Sequence, residues 1–186
     1  LQEAAAAHDW YRLTGVAEPP LEPWRLMLMA AAGDLDDRER GELADRLALA
    51  GEDRRLLAAP AERLSEPRAL LRRADLRPHQ VSRALQPLAG EELLLLMAEE
   101  SGEARVWVRR ELTELRPLQL RLRGGDLVER GFRPGPHIGH ALEATREARL
   151  DGVLGPDGEL GYALNLLRRW AEEDPAMAAE AAEERW

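Results

Sequence analysis

The sequence contains no cysteine and no lysine, and only 4% of its residues are aromatic. Without cysteine there is no disulfide, no thiolate metal site and no cysteine nucleophile. That absence fits a cytoplasmic chain, which is the expected compartment. β-branched residues are scarce throughout, which removes the usual filling of strands. The longest apolar run, Leu93 to Ala98, falls far short of the roughly 18 residues that suggest a membrane span, so no membrane partner is expected. The opening Leu1-Gln2-Glu3-Ala4 has neither Met nor the basic-then-apolar layout of a signal peptide. Further sequence is expected ahead of Leu1.

What is present is helical. Hydrophobic residues make up 45% of the 186 positions, and Leu and Ala, joined by Arg and Glu, are strong helix formers. All 26 basic residues are arginine and the net charge is −9. That sum argues against a general nucleic-acid-binding surface, because phosphate contacts need positive charge. The distribution qualifies it. Between Arg54 and Arg83, eight arginines stand against Glu62, Glu66 and Asp75, whereas six acids and one arginine fill 171–186.

Punctuation and periodicity divide the chain. Helices are expected over 4–13, ended by Thr14-Gly15 and Glu18-Pro19-Pro20, and over 24–32 behind Pro23. The Asp34-Leu35-Asp36-Asp37 cluster reads as a cap for a third helix carrying Leu43, Leu47 and Ala50. Helices over about 51–58 and 61–74 follow, punctuated by Pro60 and Pro67. Pro78 opens another, with Val81, Leu85 and Leu88 on one face. The stretch after Gly90-Glu91-Glu92 is apolar nearly all round, which places it at the centre of a bundle. A helix over 104–115 precedes Pro117. The expected fold is all-α: an irregular helical body over 1–117 and a small helical tail over 118–186. Within the tail, helices are expected from Pro136 to about Asp151-Gly152, from Glu159 to Trp170, and after Asp174-Pro175. Trp10, Trp24, Trp107 and Trp170 fall in apolar helical spacing and read as core anchors. No strand-like alternation competes with the helical period.

Past Pro117, glycines gather at positions 124, 125, 131, 135 and 139, with Pro134 and Pro136 among them. Asp126 is placed to cap a short helix through Leu127, Val128 and Glu129. Gly131 suits a left-handed stop. Pro134 and Pro136 stiffen a turn in which Gly135 and Gly139 allow close approach of backbone. The helix that follows presents unpaired N–H groups, a seat for a phosphate. Arg121, Arg123, Arg130 and Arg133 surround that turn in sequence. Set against this, a Gly-Pro turn between helices is often only a turn. His137 and His140 lack a third ligand, so a surface or phosphate-contacting role outweighs metal binding.

The run Gly124-Gly125-Asp126-Leu127, then Gly131-Phe132-Arg133-Pro134-Gly135-Pro136-His137-Ile138-Gly139, then Leu150-Asp151-Gly152 resembles the C-terminal signature of bacterial CCA-adding, A-adding and poly(A) polymerase-type tRNA nucleotidyltransferases. In that signature a G-x-DL segment precedes a G-x-x-PGP-x-(I/V)-G turn and a helix ending in L-(D/E)-G. The upstream helices are a weaker, compatible match. The resemblance implies the RNA-holding end of an enzyme that adds nucleotides to tRNA 3′ ends. It implies RNA contacts at Arg121, Arg123, Gly125, Asp126, Arg130, Arg133, Pro134, Gly135, Pro136, His137 and Gly139. A second set of RNA-facing candidates is Arg68, Arg72, Arg73, Arg77 and Arg83, weighed against a solvated face paired to Glu62, Glu66 and Asp75. The implied partners are the tRNA acceptor stem and elbow and an N-terminal catalytic head of the same polypeptide, with self-association as a further expectation. The family's paired carboxylates, its Mg ions and its ATP or CTP belong to that head. In this chain Asp34-Leu35-Asp36 reads as a cap, so the chain is expected to be non-catalytic alone and to carry no cofactor. Two other readings stay open. A helix-turn-helix over Leu70 to Leu88 predicts preference for duplex DNA, and an interaction or dimerisation bundle predicts salt-insensitive self-association without RNA.

Overall fold

Asp36 begins the third helix as the sequence requires: its Oδ1 accepts the Glu39 N–H at 2.8 Å, and the Glu39 carboxylate accepts the Asp36 N–H at 2.9 Å. This reciprocal box satisfies two of the donors that every helix N-terminus leaves open. The computed structural model describes residues 1–16, 21–58 and 60–173. The expected Glu18-Pro19-Pro20 break and the helix after Asp174-Pro175 lie outside those residues. Among the described residues there is no strand, and the chain is all-α.

The first unit, Leu1–Pro117, is built from α1 (Gln2–Thr14), α2 (Pro23–Ala31), α3 (Asp37–Arg46), α4 (Gly51–Ala58), α5 (Pro60–Leu71), α6 (Pro78–Leu85), α7 (Gly90–Glu99) and α8 (Gly102–Arg110). As its composition demands, α7 is central. Every residue from Gly90 to Met97 is buried, and α1, α2, α5 and α8 pack around it. Val81, Leu85 and Leu88 bury one face of α6. The end of α8 widens into a π turn over Glu111–Leu115, closed by the Arg116 N–H to the Glu111 carbonyl at 2.9 Å. Glu111, Leu112 and Leu115 are buried together on it.

Two expectations fail here. Pro67 does not punctuate α5 but sits inside it, buried. Leu64 before it and Leu71 after it are both buried, and their burial outweighs the missing N–H and the ring clash. Trp24 is no core anchor, being 45% exposed with the Arg25 guanidinium 5.7 Å from its ring centre. Trp10 and Trp107 are half-buried, each under an arginine, Arg109 and Arg110 respectively. Trp170 packs against the core of the second unit.

The second unit, Leu118–Trp186, holds α9 (Gly124–Val128), α10 (Pro136–Leu150) and α11 (Glu159–Glu173), with a 3₁₀ turn at Pro156–Gly158. Leu122, Leu127, Ile138, Ala141, Ala163 and Leu167 form its core, where α10 packs along α11 and α9 closes one end. Pro136 is the first residue of α10 and Asp151 its C-cap, matching the expected limits.

Arginine does much of the end-capping. Arg116 reaches the Leu85 carbonyl at 2.7 Å and the Leu88 carbonyl at 3.3 Å, beyond the last turn of α6. Arg105 donates to the Glu100 carbonyl at 2.9 Å at the end of α7, and Arg40 to the Ala32 carbonyl at 3.3 Å at the end of α2. Cations at helix C-termini satisfy orphan carbonyls and oppose the helix dipole.

Candidate nucleic-acid interface

The glycine- and proline-rich run begins with an extended segment. Along it Leu118, Leu120 and Leu122 turn inward to varying degrees, while Gln119, Arg121 and Arg123 are exposed. This period-two burial is present in the residues themselves, as L-Q-L-R-L-R, and is the signal that the helical reading passed over. No neighbouring strand is needed. The chain bends at Arg121, and the Arg121 and Leu122 N–H groups both donate to Oε2 of Glu159, at 2.8 and 3.0 Å. Oε1 of Glu159 accepts Arg149 Nε at 2.9 Å. Glu159 is 1% exposed, so a charged residue at the start of α11 fixes a segment 37 residues earlier.

Arg123 then becomes the N-cap of α9. Asp126 is the third residue of that helix rather than its cap, and its Oδ2 accepts the Arg123 N–H at 2.7 Å. The two glycines are its first two residues, which places the acid at its third position. Gly131 does take the left-handed conformation expected of it, at φ +93°. The Phe132 N–H returns to the Leu127 carbonyl at 3.3 Å, which closes the helix end.

The close approaches fall on Gly124 and Gly135 rather than on Gly135 and Gly139. A Cβ on Gly139 would meet nothing within 4 Å, whereas one on Gly124 would lie 3.3 Å from Ile138 Cγ2. Gly124 therefore lets α9 sit against α10. At Gly135 the neighbour is a side chain, since a Cβ there would stand 2.8 Å from Cε1 of His137. Gly135 is the N-cap of α10 and supplies no side-chain bond to its first turn. The imidazole of His137 thus lies over the uncapped start of the helix.

The cations differ in how far their donors are already used. Arg123 is exposed, with no side-chain partner among the described residues. Arg121 faces Asp157 at 3.2 Å, both strongly exposed, a pair that contributes little. Arg130 turns back to its own helix, donating to the Asp126 carbonyl at 2.7 Å. Arg133 is half-buried, and its Nη2 is enclosed without a hydrogen-bond partner among the described residues. Buried donors are seldom left so. Gly125, Pro134, Pro136 and Gly139 present exposed backbone around this turn, and His140 is exposed on α10.

In the first unit the second arginine set is divided. Arg68 pairs with Glu99 and Glu100, and Arg72 with Glu100 at 3.0 Å. Their partners lie at the end of α7, not at the expected Glu62, Glu66 and Asp75. Arg73 and Arg77 are exposed and carry no side-chain ion pair among the described residues, while Arg83 is exposed but engaged. On α6, Oε1 of Gln80 accepts the Arg77 N–H at 3.0 Å.

Among the described residues, no three His, Asp or Glu side chains gather into a group that could hold a metal ion, and Asp36 is committed to its cap. No described helix is long and apolar enough to cross a membrane.

No protein-family model matches the chain, and no solved structure matches it. Among curated proteins, an A-adding tRNA nucleotidyltransferase of Geobacter sulfurreducens is 29% identical over 173 residues, which cover 89% of this chain and 20% of the relative. The chain thus spans about a fifth of that protein's length and is related to a region of a tRNA nucleotidyltransferase.

Proposed function

We propose that this chain is the tRNA-holding portion of a nucleotidyltransferase whose catalytic head lies outside it. The second unit grips the RNA backbone. The observation that carries the reading is Arg133. Its half-buried guanidinium, with an Nη2 that has no hydrogen-bond partner among the described residues, stands three residues before the uncapped start of α10, and a phosphate at that helix start suits both the cation and the open N–H groups. Arg123 and Arg121 supply further cations from the segment ahead of α9, and His137 a polar group over the helix start. These contacts are to backbone and shape, as RNA helices are mostly recognised, and they choose no base.

The similarity to an A-adding enzyme supports tRNA as the RNA and its 3′ end as the place of reaction. The head would supply the metal ions, and the chemistry they support is activation of the terminal hydroxyl and stabilisation of departing pyrophosphate. This chain's part is to hold the substrate in place. Arg73 and Arg77, free on the first unit, offer additional backbone contacts.

Binding of a labelled tRNA transcript, measured as a function of salt, tests the proposal. The expected result is preference for tRNA over duplex DNA of equal length. Arg123→Glu with Arg133→Glu is expected to weaken binding and flatten the log–log salt slope by roughly 1.4 to 1.8, the value for two lost phosphate contacts. Unchanged affinity and slope would show that this surface does not hold RNA.

A further inference from the structure

Adjacent backbone N–H groups that converge on one point form a concavity that accepts an anion. The bend at Arg121 is such a concavity, and the chain fills it from within: Oε2 of Glu159 takes both the Arg121 and the Leu122 N–H, at 2.8 and 3.0 Å. The other oxygen holds Arg149, whose Nη1 also reaches the Leu154 carbonyl at 3.3 Å. The carboxylate sits on the first residue of α11, where the helix dipole favours negative charge. Every strong donor around it is thereby satisfied.

We infer that Glu159 is the positioning residue of the RNA-binding surface, the internal anion that sets the bend from which Arg121 and Arg123 project. The inference rests on the RNA-binding reading and adds to it a residue that touches no RNA. Leu122 is buried on one side of the bend and the two arginines are exposed on the other. The register of the segment therefore decides whether cations or leucines face outward. No backbone ladder sets that register; the carboxylate does. A glutamine at 159 offers one carbonyl oxygen where two oxygens now serve three donors. Either the two N–H groups or Arg149 then faces an NH₂ group and loses its acceptor.

The test uses the whole 186-residue chain and two readouts. In Glu159→Gln, the Arg121 and Leu122 amides are expected to exchange with solvent at least about tenfold faster, while the Leu167 amide in the core keeps its protection. Affinity for a tRNA transcript is expected to fall about tenfold, the same loss expected on removing the charged contacts in Arg121→Ala/Arg123→Ala. The triple variant is expected to bind no worse than that double, because Glu159 acts through those two arginines. Additive losses, or unchanged exchange at 121 and 122, would overturn the inference. If the arginine double itself leaves tRNA affinity unchanged, the RNA-binding reading fails and the positioning role fails with it. The amide exchange then reports separately that the carboxylate holds the segment. Where Glu159→Gln does not fold, Glu159→Asp withdraws the oxygens by one methylene and is read in the same two ways.

Discussion

Glu92 is fully enclosed, yet its carboxylate is met by Arg63, whose Nη2 donates to Oε2 at 3.0 Å while its Nε stands 2.7 Å from Oε1, off the hydrogen-bond direction. The same Oε2 accepts the Ala89 N–H at 2.8 Å at the start of α7. A buried carboxylate with one guanidinium and one amide is stable only while both remain. Arg63→Met is expected to lower unfolding stability by about 3 kcal/mol. Urea denaturation checks this, and a loss under about 0.5 kcal/mol, the range of an ordinary surface change, would mean that water replaces Arg63.

Arg68 and Arg72 converge on Glu100, which is buried at the end of α7, whereas Arg73 and Arg77 have no ion pair among the described residues. The two pairs of arginines should separate by readout. Arg68→Ala with Arg72→Ala is expected to cost about 2 kcal/mol or more of stability, since Glu100 is left buried without a cation. Arg73→Ala with Arg77→Ala is expected to leave the melting temperature in place and to lower tRNA affinity alone. Equal melting shifts for both pairs would remove the distinction.

Ala48 adopts φ +52° after α3, and the Leu49 N–H closes back to the Ala44 carbonyl at 2.9 Å. This is a helix end that glycine occupies without the penalty a Cβ brings. Ala48→Gly is expected to stabilise the chain by about 0.5–1 kcal/mol, a rise in melting temperature visible by calorimetry. A fall would show that the flexibility gained by the unfolded chain outweighs the relief.

Gly131 and Gly139 stand eight residues apart in the same motif and answer to different physics. Gly131 is at φ +93°, so Gly131→Ala is expected to cost about 1–2 kcal/mol. Gly139 lies within α10, exposed, with open space where a Cβ would go. Gly139→Ala is expected to stabilise α10 by roughly 0.5–1 kcal/mol. If that stabilised variant also loses tRNA affinity, Gly139 lies against the RNA; if it binds as before, the RNA contacts are confined to the residues before it.

The helices could be read along the chain because their causes are local. Asp36 with Glu39, Pro136 at the first helical position and Gly131 after Val128 each act within four residues, and α7 declares its burial by being apolar on every side. The elements read less well depend on partners far away in sequence. Pro67 is tolerated inside α5 because Leu64 and Leu71 are buried on either side of it. Trp24 looks like an anchor by its spacing, but the face it occupies is open to solvent. Nothing around Glu159 marks it out from the chain's other acids. Its role exists only once α11 brings it to Arg121 and Leu122.

The sequence by itself determined an all-α chain, the limits of most of its helices and the left-handed stop and proline turn of the glycine-rich motif, because backbone sterics and capping are set by near neighbours. Only the tertiary structure decided which arginines are committed and which are free. Arginine pairs through a long side chain with whatever carboxylate or carbonyl the packing brings near. That choice placed Arg68, Arg72 and Arg149 in ion pairs and Arg116 on helix-end carbonyls, and left Arg123, Arg73 and Arg77 with their charge exposed.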